Sequence, residues 1–212
     1  HIEHLVRNPY GFYARHILKL KPLDDLSQEP QAAYFGTLIH ALLERHKKTH
    51  ISLVDLGCVI EESLKAFPHL LFFWLPRFAR IASWIKVQEE DRAERLVRSF
   101  IECEGEMVIE TSQGPYTVKA KADRIDVFKD GLVEIIDYKT GMIPTRHQMQ
   151  TGEGAQLLLE ALIARNGGFE VPQQSDITIS YWRLRGKKDK GNIKSFKDLE
   201  DDIQKTEEGL RN

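Results

Sequence analysis

The sequence contains little that would bind a metal through sulfur or cross a membrane. Its 212 residues include only two cysteines, Cys58 and Cys103, which lie far apart and lack the spacing of a metal site. No apolar run reaches the roughly 18 residues that argue for a membrane-spanning helix. We therefore expect free thiols in a reducing compartment, a cytoplasmic location and no membrane partner.

A strong net charge is also absent. The 30 lysines and arginines nearly balance the 32 aspartates and glutamates, and the formal net charge is −2. Any nucleic-acid surface must therefore be local. The hydrophobic content of 42% and the length suit one globular core. Because the chain begins with His1 rather than methionine, we expect a domain of a longer polypeptide.

Residues 120–141 have the pattern of a β-hairpin that carries acidic side chains. Two runs of alternating apolar residues flank Lys129-Asp130-Gly131, and Gly131 can adopt the positive φ of a tight turn. Antiparallel pairing of these two runs would bring Asp123 close to Asp137. The sequence therefore predicts a pair of neighbouring carboxylates on the hairpin.

The end of this hairpin is a candidate metal site. Side chains repeat on one face of a strand every second residue, so Asp137 and Lys139 should point the same way and Tyr138 away. Neighbouring carboxylates repel unless a cation lies between them, and a hard ion such as Mg²⁺ suits oxygen ligands. A metal-bound water could then attack phosphorus, with Lys139 stabilising the developing charge. The alternative is a solvated hairpin, which the apolar run at 132–136 disfavours.

The first half of the chain is predicted to be mainly helical. Apolar periodicity and proline breaks indicate helices within residues 1–20, 32–47 and 51–100. His40 and Glu44 lie one turn apart on the second of these helices. A single histidine on a helix is usually packed or solvated, and it would bind a metal only if this face turned toward the hairpin.

Three segments leave binding and structural roles open. Basic and aromatic residues are interleaved around Arg15. This pattern suits either a packed helix with solvated charges or a surface that binds a nucleic-acid strand. The apolar segment 70–85 suits core packing, with a partner-docking face as the alternative. Residues 89–98 are expected to form a solvated helical face. The basic loop 185–191 is either an exposed turn or a phosphate contact.

The second half is predicted to contain the sheet. Strands are expected at 106–111, 116–121, 132–138 and 177–184, with a helix at 155–166 and an amphipathic helix from residue 195 onward. We expect one domain, with a mainly helical part at 1–104, a sheet core at 105–194 and a terminal helix at 195–212.

The order of these motifs resembles the RecB-like branch of the PD-(D/E)xK nuclease superfamily over essentially the whole chain. The matching segments are Gly36-Thr37-Leu38-Ile39-His40, Ala122-Asp123-Arg124-Ile125-Asp126, Ile136-Asp137-Tyr138-Lys139-Thr140-Gly141 and Gln156-Leu157. Residues 8–18 and 181–184 look like the C-terminal nuclease domain of AddB in its alphaproteobacterial form. The resemblance implies a restriction-endonuclease-like α/β fold, a mixed β-sheet flanked by helices with an N-terminal helical elaboration.

The resemblance also implies roles for individual residues. It implies that His40, Asp123 and Asp137 bind Mg²⁺, for which Mn²⁺ substitutes, together with the backbone carbonyl of Tyr138. Lys139 matches the catalytic lysine, and Gln156 matches a glutamine that positions the active site or the DNA. Asp126, three positions after Asp123, should point to the opposite face near Arg124, where it would either support the metal ligands or be structural. The residues predicted to contact DNA are Arg15, Arg183, Arg185, Lys187 and Lys188.

The chain departs from the family pattern at two places. Many relatives carry tyrosine where this chain has Glu160 and glycine where it has Ala120, and neither position is expected to touch the metal. Some related nucleases hold an iron–sulfur cluster through four cysteines. Two cysteines cannot supply four ligands, so no cluster is expected.

By this resemblance, the chain is expected to be the exonuclease domain of an AddAB-type helicase-nuclease. Such a complex processes double-strand DNA breaks for recombinational repair, with DNA and an AddA-like helicase-nuclease subunit as partners. The alternative is a DNA-end-binding or assembly module of the same complex with weak catalysis.

Overall fold

A computed structural model describes residues 2–20, 32–53, 55, 57–111, 114–171, 176–187 and 189–211. The helices are α1 (Ile2–Arg7), α2 (Pro9–Phe12), which continues into a π-helical turn at Tyr13–Ile17, α3 (Ala32–Thr49), α4 (Gly57–Ser63), α5 (Pro68–Ala93), α6 (Arg146–Gln150), α7 (Gln156–Arg165) and α8 (Glu200–Arg211). The strands are β1 (Leu96–Thr111), β2 (Gly114–Phe128), β3 (Val133–Lys139), β4 (Ile177–Arg183) and β5 (Asn192–Phe196).

The five strands form one mixed sheet in the order β1-β2-β3-β4-β5. Strands β1 to β3 make an antiparallel meander, β4 runs parallel to β3, and β5 is antiparallel to β4. Parallel neighbours need a crossover, and α7 lies in the connection from β3 to β4. The predicted α/β fold, a mixed sheet flanked by helices, is confirmed.

The alternation of side chains along β3 builds two cores. Val133 and Ile135 pack with α7 and α8 on one face of the sheet. Ile136 and Tyr138 pack with α3, α4 and α5 on the other face. Because Asp137 and Lys139 continue the phase of Val133, they lie on the α7 face.

Two predicted boundaries are wrong. The helix expected to reach residue 100 ends at Ala93, and strand β1 begins at Leu96. Pairing with β2 along the whole length of β1 overrides the helical charge pattern of this segment. The helix expected from residue 195 begins at Glu200, after the short edge strand β5. Five residues of weak alternation carry too little pattern to be distinguished from a helix start.

The apolar segment 70–85 is divided between core and surface. Trp74, Phe78 and Ile81 are buried against α3 and the sheet, as core packing predicts. Phe72 and Phe73 are 76% and 64% exposed, and for these two residues the docking alternative stays a prediction. Within the described ranges, no helix is both long and apolar enough to cross a membrane. The cytoplasmic location and the single-domain division also stay predictions.

A buried ionic network fixes α5 to the sheet beneath the hairpin. The fully buried guanidinium of Arg124 donates through Nε to Asp126 Oδ1 and through Nη2 to Asp126 Oδ2, both at 2.7 Å. It also donates to Glu89 on α5. Arg92, one turn further along α5, donates to Asp126 Oδ2 at 2.9 Å and to Glu134 on β3. Residues 89 and 92 therefore bind inside the protein, and the predicted solvated face is wrong there.

This network makes the protein acid-sensitive. Burial alone would raise the pKa of Asp126 and of Glu89. The charge and hydrogen bonds of Arg124, together with Ser99 and Arg92 at Asp126 and with Lys47 at Glu89, outweigh burial and leave both pKa values below their usual range. The unfolded chain then binds more protons in acid, so the stabilisation is complete above the unfolded pKa values of about 4. It is lost as the pH falls through the lowered values. We expect urea unfolding to show a free energy of unfolding that declines below about pH 5.

The variant Asp126→Asn supplies the control for this prediction. It removes one of the two titrating carboxylates, so its free energy of unfolding should depend less steeply on pH in the acid range. An equal slope in both proteins would contradict the assignment of acid sensitivity to this network.

Candidate active site

The hairpin brings the two predicted carboxylates together. Strands β2 and β3 pair with Arg124 opposite Ile136, and Gly131 in the connecting turn has φ of 87°. One residue beyond this pairing, the backbone N–H of Tyr138 donates to Asp123 Oδ2 at 2.9 Å. The predicted approach of Asp123 to the 137–139 segment is therefore present.

Lys139 and Asp137 share a face, as the strand period predicts. The Lys139 ammonium donates to Asp137 Oδ1 at 2.9 Å. Asp137 is 1% exposed, and among the described residues none hydrogen-bonds its second oxygen, Oδ2. Tyr138 points to the opposite face, where its hydroxyl accepts from Arg124 at 3.3 Å. Asp126 lies on that same opposite face, as predicted.

Helix α3 places a histidine over the carboxylates. A Cβ on Gly36 would lie 3.0 Å from Thr140 Oγ1, so the glycine lets this helix pack closely against the end of β3. One turn later, His40 Nδ1 lies 3.4 Å from Asp123 Oδ2. The helix face that carries His40 therefore turns toward the hairpin. Glu44 on the same face pairs instead with Lys48, at 2.7 Å.

Gln156, the first residue of α7, contacts the lysine. Its Oε1 accepts from Lys139 Nζ at 3.4 Å, and its Nε2 donates to Glu160 Oε1 at 3.1 Å. On sequence grounds Glu160 is only a departure from the family pattern, yet in the structure it joins the same series of hydrogen bonds. The available signal was an acid one helical turn after Gln156 within an otherwise apolar helix.

The electrostatics of the site are those of crowded acids. Burial raises the pKa of Asp137 to about 6, with the Lys139 charge opposing this rise and the Asp123 carboxylate adding to it. Burial lowers the pKa of His40. The hydrogen bond and charge of Asp123, together with the charge of Asp137, raise this pKa by more than burial lowers it, so the net shift is upward. The rise at Asp137 comes mainly from burial, whereas the rise at His40 comes from the neighbouring carboxylates, which favour a positive charge there.

The side chains suit a hard divalent cation without forming a finished shell. Across the described parts of the chain, no three histidine, cysteine, aspartate or glutamate side chains stand close enough to hold a metal ion. Asp137 Oδ2 is nevertheless buried and has no hydrogen-bond partner in the part of the chain that the structure describes, and Asp123 and His40 adjoin the same strand end. The carboxylate oxygens match the preferences of Mg²⁺ and Mn²⁺, and a histidine among hard oxygen ligands makes Mn²⁺ a good substitute for Mg²⁺.

The predicted DNA contacts are only partly brought to the site. Arg183 pairs with Lys139 in the parallel register, and its Nε donates to the carbonyl of Gly141 at 2.9 Å. Arg185 and the exposed Lys187 follow directly. Lys188 lies outside the described residues. Arg15 is exposed in the π-helical turn, and among the described contacts none joins it to the site.

Two arginines that the sequence analysis missed anchor the basic loop. Arg77 on α5 donates through Nε and Nη2 to the carbonyl of Arg185 at 3.2 and 3.1 Å. Arg80 Nε donates to the carbonyl of Gly186 at 2.7 Å. Gly186 has φ of 59°, and a side chain there would collide with the backbone of Arg77. The start of this loop is therefore tied to α5 by its backbone.

Comparison with known proteins gives a family match over the full length. The family model described as the PD-(D/E)XK nuclease superfamily matches residues 1–212. An uncharacterized protein of Rickettsia bellii (strain RML369-C) is 31% identical over 179 residues, covering 80% of this chain and 22% of that protein. One of Rickettsia felis (strain ATCC VR-1525 / URRWXCal2) is 30% identical over 192 residues, covering 84% and 22%.

The chain thus spans 22% of the length of these curated relatives. The solved structure of a protein called SSO0001 is 16% identical, and the match covers 84% of this chain and 88% of that one. Its TM-score of 0.35 is too low to support a structural argument.

Proposed function

The chain belongs to the PD-(D/E)XK nuclease superfamily, and from this premise we propose that it is a DNA nuclease that depends on Mg²⁺ or Mn²⁺. The carrying observation is the contact of the Lys139 ammonium with Asp137 Oδ1 at 2.9 Å, beside Asp123. An acid pair and a lysine at the end of a buried strand form an arrangement that can hydrolyse a phosphodiester.

Each residue has a role in this proposal. His40, Asp123, Asp137 and the carbonyl of Tyr138 would hold the cation, which when bound supplies Lewis acidity and a more acidic water. The Lys139 side chain is 33% exposed, so from its place beside Asp137 it can reach a phosphate. There its ammonium would offset the negative charge that develops on the phosphate in the transition state. Gln156 accepts from the same ammonium and limits its direction.

Cleavage of labelled DNA tests the proposal. End-labelled single-stranded and double-stranded DNA would be incubated with the protein and Mn²⁺, Mg²⁺ or a chelator. We expect products with either metal and none with chelator. Tight binding without products in both metals would instead support the second candidate, a DNA-end-binding module.

Removing the imidazole tests the metal set separately from folding. We expect His40→Ala to raise the Mn²⁺ concentration for half-maximal cleavage by about tenfold or more, since a ligand-shell change commonly has that effect. The melting temperature in chelator should stay nearly unchanged, because the His40 side chain is 34% exposed and not a core residue. A lost cooperative melt with an unchanged metal titration would make the histidine structural.

The basic edge beside Lys139 is proposed to hold the DNA backbone. Arg183 is the last residue of β4, and Arg185 and Lys187 follow it; this end of β4 lies next to the end of β3 in the sheet. Each phosphate contact that is removed should reduce the salt dependence of binding by about one unit of slope.

A charge-removal variant tests this edge. We expect Arg185→Ala/Lys187→Ala to weaken DNA binding in chelator and to lower the slope of log affinity against log salt concentration by about two. Lys119→Ala is the matched control, because its exposed ammonium lies on β2 and pairs with Glu106. An equal loss in the control would show that the effect is not local to the edge.

We further propose an AddAB-type role in double-strand break repair, with an AddA-like helicase-nuclease subunit as partner. Support comes from the resemblance of residues 8–18 and 181–184 to AddB and from the much greater length of the relatives. Copurification of the full-length protein with such a helicase subunit would test this role.

A further inference from the structure

Glu160 is a buried acid that the proposed chemistry does not use. It is 1% exposed in the middle of α7, among apolar residues that pack against the sheet. Its Oε1 accepts one hydrogen bond, and within the described residues its Oε2 has no hydrogen-bond partner. An unpaired polar atom in such a place is destabilising, so its presence calls for a functional reason.

The hydrogen bonds of Glu160 lead directly to the proposed catalytic lysine. Glu160 Oε1 accepts from Gln156 Nε2 at 3.1 Å, and Gln156 Oε1 accepts from Lys139 Nζ at 3.4 Å. Lys139 in turn donates to Asp137 at 2.9 Å. These four side chains therefore form one continuous chain from the buried face of α7 to the strand end.

The oxygen and nitrogen of a side-chain amide are chemically different, so the series of hydrogen bonds from Glu160 to Lys139 has a direction. A glutamine side chain has a donor at Nε2 and an acceptor at Oε1. While Nε2 is held by Glu160, the acceptor faces the ammonium of Lys139. Without an acceptor at position 160 the amide can turn and present its donor to that ammonium, which would repel it.

We propose that Glu160 is a positioning residue that orients the amide of Gln156 and, through it, the ammonium of Lys139. The orientation stands on the three distances and the burial alone. Its effect on the reaction rate rests on the proposed nuclease function.

The charge state of Glu160 is compatible with this role. Burial raises the pKa of Glu160 well above its usual range, the hydrogen bond from Gln156 opposes the rise, and the charges of Asp137 and Asp123 add to it. The upward shift favours the uncharged form, whose carboxyl oxygen can accept from Gln156 without drawing Lys139 away from Asp137. Glutamine has the same shape and also offers an acceptor, so Glu160→Gln is the conservative control.

The first test needs no catalysis. The side-chain amide of Gln156 would be followed by nitrogen-edited NMR, with its signal identified by its loss in Gln156→Leu. We expect Glu160→Met to raise the solvent-exchange rate of that amide about tenfold, the factor that one hydrogen bond of typical net strength represents. Glu160→Gln should change the rate by less than about twofold. An unchanged rate in Glu160→Met overturns the proposal.

Folding is checked in the same samples. Glu160→Met removes an unpaired polar atom from an apolar site, so the melting temperature should not fall. If the methionine variant does not fold, Glu160→Leu takes its place, and the same exchange measurement decides.

The second test is a kinetic double-mutant cycle. We expect Glu160→Met to lower kcat about tenfold with KM unchanged, and Glu160→Gln to restore it. Because Glu160 acts through Gln156, the double variant with Gln156→Leu should be no slower than Gln156→Leu alone. Independent, multiplying effects would overturn the positioning role. If the wild type cleaves no DNA, the nuclease proposal fails while the amide measurement still decides the role of Glu160.

Discussion

Replacing Lys139 by methionine is expected to lower the rate of DNA cleavage about 10³-fold, the loss associated with removing a group that stabilises charge only in the transition state. The Lys139 ammonium is the cation that directly contacts Asp137, and it lies at an exposed strand end where a phosphate can approach. Methionine keeps the apolar stem and removes the charge. Single-turnover cleavage of end-labelled DNA with saturating Mn²⁺ measures the effect.

Folding and DNA binding should survive this substitution. The Lys139 side chain is 33% exposed and does not belong to either core cluster. We expect circular dichroism and the DNA affinity in chelator to stay close to those of the wild type. Lys119→Met on the far part of β2 is the matched control and should cleave normally, since its ammonium pairs only with Glu106 among the described ion pairs. Retention of more than about a tenth of the activity by Lys139→Met would contradict a transition-state role.

The second large effect concerns stability. Arg124→Met is expected to lower the free energy of unfolding by about 3–5 kcal/mol, the usual result of leaving one partner of a buried ion pair unpaired. The Arg124 guanidinium is 0% exposed and binds Asp126, Glu89 and the hydroxyl of Tyr138. Its removal leaves Asp126 with less compensation for its burial. Urea unfolding at neutral pH measures the loss.

A surface arginine provides the comparison. Arg165 pairs with Glu200 and Glu207 at 2.8 and 2.9 Å, and both partners reach solvent. Exposed pairs contribute about 1 kcal/mol or less, so Arg165→Met should cost far less than Arg124→Met. Equal losses would show that the network beneath the hairpin is not a special anchor.

Tyr138 contacts both the buried network around Arg124 and the proposed active site. Its hydroxyl accepts from Arg124 on one face of the sheet, while its backbone N–H donates to Asp123 at the proposed active site. The buried network thus holds the strand that carries both Asp137 and Lys139. We interpret the network as the support that keeps these groups in register.

Local sequence patterns were sufficient to predict the hairpin. The turn at Gly131 and the two-residue period fix which of Asp137, Tyr138 and Lys139 share a face, and the structure agrees. The fold class was implied by the family resemblance, and the mixed sheet flanked by helices is present in the structure. The metal set and the roles of the individual site residues stay predictions.

Other features depend on contacts between segments that are distant in the sequence. Glu89 and Arg92 have the composition of a solvated helical face, and only the packing of α5 on the sheet turns them into buried partners of Arg124 and Asp126. From the sequence, Arg77 likewise has the character of a surface charge. In the structure, the loop at residue 185 packs against it and accepts its hydrogen bond. A charge pattern gives no information about which solvent-facing position another element will cover.

By itself, the sequence determined the hairpin and the face on which the acids lie, because strand and turn geometry depends on neighbouring residues. The tertiary structure alone decided that α3 carries His40 to Asp123 and that Glu160 reaches Lys139 through Gln156. These contacts join segments 83 and 17 residues apart, as the numbering shows for 40 to 123 and 139 to 156. Their distances are set by the packing of helices on the sheet, which no local pattern encodes.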